Sequence, residues 1–192
     1  RIHYDTLLFD PYDTLVQHAP PPEDTNPANG VPDYVDSMAL VLEYVWSFEI
    51  DTLGFIEPVS DGGEGGDLRY DVYLSDIGGM GYYGVTYPET IQPDGRTWSS
   101  YIEFDQFGYR DNPMAAVKVT AAHEFFHAIH FSIDAYEFSG NRFWWYEVSA
   151  VWMEDVVFDE VNDYLYYLKY FFHYPWFSIE SFTYDFSDPR SM

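Results

Sequence analysis

The segment TAAHEFFHAIH, residues 120–130, places two histidines four residues apart, with a glutamate directly after the first. On an α-helix, positions i and i+4 lie about 40° apart around the axis and about 6 Å along it, so His123 and His127 project side by side. Two imidazole nitrogens can then reach one ion at the ~2.0–2.1 Å that zinc prefers. Glu124 points about 100° away from His123, where it can take a proton from a water molecule at the open coordination position. The segment therefore predicts a helix that binds a metal ion.

The residues around this pattern distinguish a metal site from a coincidence. H-E-x-x-H also occurs by chance in unrelated helices, where it belongs to an exposed polar face. Such a face would place Lys or Glu at positions 120, 121, 128 or 131, but these hold Thr, Ala, Ala and Phe. Charged groups on an otherwise buried helix are costly unless something compensates them, and a metal ion does so. The flanking residues favour the metal site.

Residues 113–132 form the most strongly predicted helix, with Asn112 as its N-cap and Pro113 at the first helical position. A long amphipathic helix is predicted from Asp33 to Gly54, which is a typical helix-ending residue. Short stretches rich in β-branched and aromatic residues predict strands, and two late segments have helical spacing. The predicted strands are 2–9, 69–76, 81–89 and 98–106, and the late helices are 142–157 and 161–174.

Because the strands precede most of the helices, we expect an α+β fold in which a small mixed, twisted sheet packs on the H-E-x-x-H helix. A chain of 192 residues with 47% hydrophobic content is most simply one domain with a sizeable core. We expect residues 1–192 to form that domain. Residues 1–132 would contain the sheet and the H-E-x-x-H helix, and residues 133–192 a helical sub-lobe.

The composition excludes several classes of function. With 33 acidic and eight basic residues the formal net charge is −25, so a nucleic-acid partner is not expected, because phosphate backbones need a cationic surface. The acidity has two alternative explanations. It keeps the protein soluble, also in a saline medium, or it favours cationic substrates or bound Ca²⁺. The absence of cysteine excludes disulfides and thiolate ligands. No apolar run approaches the ~18 residues of a membrane helix.

A catalytic zinc needs a third protein ligand and an open fourth position. The spacing of the metzincin family does not supply it, because His130 stands where a glycine would be and Ile133 where the third histidine would be. Further on, the segment WWYEVSAVWMED, residues 144–155, has the form W-x-x-E-x-x-A around Glu147. Nineteen residues separate His127 from Glu147.

These two motifs resemble the gluzincins, zinc metallopeptidases with H-E-x-x-H on one helix and a glutamate ligand on a following one. Together with NGVPDYVD, YDVYL, YYGVTYPE, SSYIEFD and WMEDVVFDEVNDYLYYL, they make nearly the whole chain similar to a group of secreted bacterial metalloprotease-like proteins of the peptidase MA clan. The resemblance implies a zincin-like fold, one catalytic Zn²⁺, and extracellular localisation. It also implies that His123, His127 and Glu147 are the ligands and that Glu124 is the general base.

Glu154 is the alternative to Glu147, because i+7 puts it on the same helical face but about 10.5 Å further along. Only one of the two can reach the ion. We favour Glu147, with Glu154 or Asp155 orienting a histidine instead. The aspartate that gluzincins usually have four residues after the ligand glutamate is replaced here by Val151.

Other residues carry weaker predictions. His130 shares the face of His123 and His127, so it either lines a substrate subsite or is a hydrogen-bonded structural residue. The segment EDTNPANGVPDYVD resembles a calcium loop that is one residue out of register, so a plain turn is the alternative. Its candidate ligands are Asp24, Asn26, Asn29 and Asp33. The late helix holds candidates for stabilising an oxyanion, which are Tyr164, Tyr166, Tyr167, Tyr170 and His173.

From these observations we expect a zinc-dependent metalloendopeptidase in which Glu124 activates a zinc-bound water. A peptide or protein substrate would lie extended along the edge of the predicted sheet, and the protein would be a monomer. The alternative is a latent or inactive metallopeptidase-like module whose aromatic cleft binds a ligand. A purely structural zinc is disfavoured, because no fourth protein ligand stands nearby in the sequence.

Overall fold

One mixed sheet and four helices make up the main regular structure of the residues that the computed structural model describes, which are 1–6, 19–106, 113–138, 143–173 and 175–176. The strands are β1 (Ile2–His3), β2 (Val72–Ser75), β3 (Gly84–Ile91) and β4 (Trp98–Asp105). The helices are α1 (Asp33–Trp46), α2 (Pro113–Asp134), α3 (Phe143–Val157) and α4 (Leu165–His173). The predicted α+β class is confirmed.

The sheet has the strand order β1-β2-β4-β3, which places β3 at one edge. β2 runs parallel to both β1 and β4, whereas β3 is antiparallel to β4. Alternate residues point to one face of a strand. On that face Val72 and Leu74 of β2 and Ile102 and Phe104 of β4 are buried. They join side chains of α1, α2 and α3 in a single core cluster.

α2 is the central helix, because it packs against β3, β4, α1 and α3. Ala121, Ala122 and Ala128 are completely buried, and their small side chains let the neighbouring elements approach closely. The helix predicted for residues 113–132 is confirmed and extends to Asp134. Its predicted N-cap, Asn112, lies outside the described residues.

The first predicted helix is a regular α-helix over only part of its length. Regular α-helix ends at Trp46, and a π-helical turn, Ser47–Thr52, follows it. In this turn the backbone N–H of Leu53 donates to the carbonyl of Phe48, five residues earlier, at 2.9 Å. The long helix predicted from Asp33 to Gly54 is therefore confirmed as a helical segment, but its last part is a π-helical turn, which is wider than an α-helical one. Gly54 does end the segment, with a φ of 79°.

The remaining elements agree with their predicted positions, with shorter strands at the sheet margins. β1 covers only the start of the strand predicted for residues 2–9, and positions 7–9 lie outside the described residues. The two late helices are confirmed as α3 and α4. In the described part of the chain, no helix combines the length and apolar character that crossing a membrane requires.

Candidate metal centre

Two helices bring together the three predicted metal ligands. His123 and His127 lie one turn apart on α2, and Glu147 lies near the start of α3. One ligand atom from each lies within 4.8 Å of the other two, and no other such group of His, Asp and Glu occurs among the described residues. Oε2 of Glu147 is 3.3 Å from Nε2 of His123 and 3.7 Å from Nε2 of His127.

The packing of α3 on α2 aims Glu147 at the histidines. Ala150, three residues after Glu147, is completely buried, as is Met153. Because positions three and seven residues apart share a helix face, Glu147, Ala150 and Glu154 all turn toward α2. The small side chain of Ala150 thus allows the close approach that the W-x-x-E-x-x-A pattern suggested.

Glu154 contacts His123 from the other side of its ring. The Nδ1–H of His123 can donate to Oε1 of Glu154 at 2.6 Å, which leaves Nε2 as the nitrogen that faces Glu147. Such a carboxylate fixes the tautomer and the orientation of a metal-binding histidine. The geometry therefore separates the two candidate glutamates. Asp155 is not involved in this contact, since its Oδ1 is buried without a hydrogen-bond partner in the described residues.

Burial and neighbouring charges oppose each other in this cluster. Burial raises the pKa of Glu147, but hydrogen bonds from His123 and His127 hold that pKa well below its ordinary value. Burial likewise lowers the pKa of His123, but the carboxylates of Glu147 and Glu154 raise it far above the ordinary value. In His127, burial prevails and lowers the pKa to about 3. The carboxylates thus hold one proton on His123, in the place where a cation would provide the compensating charge.

No protein-family model, curated protein or solved structure matches this chain. The resemblance to the gluzincins therefore rests on the sequence alone. The positions of the motif residues in the fold are a separate observation. Two imidazoles and one carboxylate are the donor set of many catalytic zinc sites with an open fourth position. The residues present here fit a zinc ion.

Glu124 does not belong to the group of three but lies directly beside it. Its side chain is buried, and its Oε2 accepts a hydrogen bond of 2.8 Å from the Thr86 hydroxyl on β3. Burial raises the pKa of Glu124 to about 7, although the charge of His123 and the hydrogen bond from Thr86 lower it. A carboxyl group with a pKa near the working pH can both accept and release a proton.

Tyr146 supports the second histidine. Its ring stacks on that of His127 with a centroid distance of 3.8 Å and an interplanar angle of 2°. The sequence alone does not identify Tyr146 as a site residue, because the stacking depends on the packing of α3 on α2 and no local pattern signals it. His130 lies beside the cluster, where its Nε2 is 3.2 Å from the hydroxyl of Ser149. That contact suits a structural histidine, and the subsite role stays a prediction.

β3 presents its free edge close to Glu124. The backbone N–H of Asp105 donates to the carbonyl of Tyr83 at 2.9 Å, so the hydrogen-bonded positions of this antiparallel pair are the odd-numbered residues of β3. Gly84, Thr86 and Pro88 therefore direct their backbone groups away from β4. Pro88 has no N–H, so in the described residues the part of this edge from Gly84 to Pro88 offers both donor and acceptor groups at Gly84 and Thr86.

The candidate calcium ligands lie in a loop held together by its own hydrogen bonds. Asp24 accepts from the backbone N–H groups of Asn29 and Gly30, and Asp33 accepts from those of Thr25 and Asn26. These bonds account for both carboxylates as turn-forming groups. The calcium site remains a prediction, with the plain turn as the alternative that the hydrogen bonds favour.

Of the candidates for oxyanion stabilisation, Tyr167 is half-buried and interacts electrostatically with Glu154. Burial raises its pKa to about 12, and the charges of Asp163 and Glu154 add to this effect. Tyr166 is 57% exposed. His173 is exposed, and the side chain of Tyr170 lies outside the described residues. The oxyanion role stays a prediction.

Proposed function

We propose that this chain is a zinc-dependent metalloendopeptidase of gluzincin type, with a zincin-like arrangement of its sheet and helices. The observation that carries the proposal is the convergence of Nε2 of His123, Nε2 of His127 and a carboxylate oxygen of Glu147 on one point. Glu124 is not one of the three, but it lies close enough to His123 and Glu147 for their charges to shift its pKa. A purely structural site would use a fourth protein ligand, and none lies within reach among the described residues.

His123, His127 and Glu147 would hold the ion, and Glu154 would keep His123 in the tautomer whose Nε2 is free to bind it. A bound zinc ion supplies Lewis acidity, which polarises a scissile carbonyl and lowers the pKa of water. Tyr146 would hold the ring of His127 in place by stacking. Each of the two histidines thus has a partner that limits its rotation.

Glu124 would act as the general base and then as the general acid. Its raised pKa of about 7 suits both steps, because the group can take a proton from the attacking water and return it to the leaving amine.

The substrate would be an extended peptide that pairs with the free edge of β3. Backbone hydrogen bonds at Gly84 and Thr86 would align the peptide without regard to its sequence. These positions lie next to Glu124, so the aligned peptide would pass close to the base. Secretion and the monomeric state belong to the same proposal.

The decisive experiment compares the wild type with Glu124→Gln, measuring zinc per chain by mass spectrometry and cleavage of a mixed peptide library. The variant keeps all three ligands, so both proteins should bind about one zinc ion while only the wild type cleaves peptides. Equal cleavage by both proteins would refute the proposal. Zinc binding without cleavage by the wild type would instead support a latent metallopeptidase-like binding module.

A further inference from the structure

The hydroxyl group of Thr86 reaches across from the edge strand to the proposed base. Its Oγ1 lies 2.8 Å from the backbone carbonyl oxygen of Glu124 and 2.8 Å from Oε2 of the same residue. Both side chains are 7% exposed, so water does not compete freely for these bonds. The hydroxyl group has one proton, so it donates to one of these oxygens at a time, and a protonated Glu124 carboxyl can donate to Oγ1 while Thr86 donates to the carbonyl. In either case Thr86 links Glu124 to β3.

Gly84 makes this approach sterically feasible. A Cβ atom at Gly84 would lie 2.6 Å from Cγ2 of Thr120 and 2.7 Å from Cγ of Glu124. Contacts this short force side chains or backbone to move. Any larger residue at position 84 would therefore push β3 away from α2 or displace the side chain of Glu124.

Thr86 also belongs to the proposed substrate-binding edge. Its backbone N–H and carbonyl point away from β4, while its side chain points to α2. The residue that would pair with the peptide backbone is therefore the one that holds the carboxylate of Glu124. A peptide aligned on Thr86 is automatically aligned with Glu124.

We infer that Thr86 is a positioning residue, which fixes the Glu124 carboxylate relative to a peptide bound along β3. The inference depends on the proposed function, because it concerns the placement of the proposed base. Gly84 supports this role, because its lack of a side chain provides the space in which the contact between Thr86 and Glu124 forms.

The kinetic test uses Thr86→Val, which keeps the size and branching of the side chain but removes the hydroxyl group. Displacing a catalytic group lowers the rate of the chemical step, so kcat should fall about tenfold or more. KM and zinc content should stay close to the wild-type values, because the backbone of β3 and the three ligands are unchanged. Thr86→Ser should recover most of the loss, because it restores the hydroxyl group.

Thr90→Val serves as the matched control, since Thr90 is an exposed residue near the other end of the same strand. This variant should cleave peptides like the wild type. Unchanged kcat in Thr86→Val would overturn the inference, as would a loss that Thr86→Ser fails to recover.

A measurement of stability tests the contact without any activity. Thr86→Val, Glu124→Met and the double variant form a double-mutant cycle in denaturant-induced unfolding of the metal-free protein. If the hydroxyl group bonds the carboxylate, Thr86→Val should lower the unfolding midpoint more in the wild type than in Glu124→Met. Equal shifts in both backgrounds would mean that Thr86 does not hold the carboxylate.

The two tests keep the inference separate from the proposed function. A wild type that binds zinc and cleaves nothing contradicts the proposed function, and the role of Thr86 in catalysis falls with it. The cycle still decides whether the contact exists. A cleaving wild type with an equally active Thr86→Val variant contradicts only the inference.

Discussion

The candidate metal centre and the π-helical turn after α1 both bury carboxyl groups, but these groups differ in their partners. At the candidate metal centre, Glu147 and Glu154 each face a ring nitrogen of His123. In the turn, Glu49 is completely buried, and neither of its oxygens has a hydrogen-bond partner in the described residues. Burial alone raises the pKa of Glu49 to about 9, whereas the histidines hold the pKa of Glu147 far below its ordinary value.

The difference shows what keeps a buried carboxyl group ionised. Removing an ionised group from water is costly, and a buried carboxyl without a partner becomes neutral instead. Glu49 is therefore a neutral acid at physiological pH and cannot attract a cation. Glu147 stays ionised, and its negative charge is available to a metal ion.

The largest effect is expected from Glu147→Ala, which removes the ionised carboxylate of this comparison. The variant loses one of three ligands and leaves two imidazoles, so zinc affinity should fall by more than about 100-fold and cleavage should be lost. Competition with a chelating fluorescent indicator measures the affinity. Retained zinc affinity would show that another residue completes the site.

Glu154→Gln should have a smaller effect, because it weakens a contact to a ligand and leaves the ligand in place. Residues that orient metal-binding histidines typically contribute 10-fold to 100-fold in affinity, and we expect a loss in that range. The same competition assay applies, with Glu147→Ala measured in parallel. A loss as large as that of Glu147→Ala would indicate that Glu154 is itself a ligand.

The neutral carboxyl group of Glu49 predicts that the stability of the protein depends on pH. Between the ordinary pKa of 4.5 and about 9, the folded protein keeps a proton on Glu49 that the unfolded chain releases. The free energy of unfolding should therefore fall as the pH rises through this range, by at most about 1.4 kcal/mol per pH unit from this residue. Urea unfolding of the metal-free protein at several pH values measures the slope.

Glu49→Gln removes this titration, so its stability should fall less steeply than that of the wild type over the same range. Glu43→Gln is the matched control, because Glu43 is an exposed residue on α1 and should leave the slope unchanged. Identical slopes for the wild type and Glu49→Gln would show that Glu49 is ionised in the folded protein.

The smallest effect is expected at an exposed pair. Nζ of Lys118 lies 2.7 Å from Oε1 of Glu160, whose side chain is 63% exposed. Exposed ion pairs contribute little, because water solvates both partners when they separate. Glu160→Gln should therefore change neither the urea midpoint nor the zinc content measurably. A clear loss of either would mean that charge outside the buried cluster also supports the site.

The convergence of His123, His127 and Glu147 could be predicted from the sequence because its main features are local. The four-residue spacing of His123 and His127 determines their relative position on any helix, and the W-x-x-E-x-x-A pattern shows which face of α3 is buried. The separation of Glu147 and Glu154 along the helix showed only that both cannot reach one ion, and the preference for Glu147 came from the resemblance of its surroundings to the W-x-x-E-x-x-A motif. These inferences required no knowledge of how distant segments meet.

What the sequence did not predict depends on contacts between distant segments. Thr86 and Glu124 are 38 positions apart, and the need for glycine at position 84 arises only because β3 meets α2 there. The strand order, in which β4 lies between β2 and β3, has no local signature either. The π-helical turn was missed because its apolar spacing is close to that of an α-helix.

Pro88 has a consequence for self-association. An exposed strand edge with unpaired backbone groups invites pairing with the same edge of another molecule, and long free edges lead to aggregation. Because Pro88 cannot donate, the ladder that a second molecule could form along β3 is interrupted after two residues. Pro88 thereby shortens the run of unpaired backbone that β3 offers to a second copy of the chain.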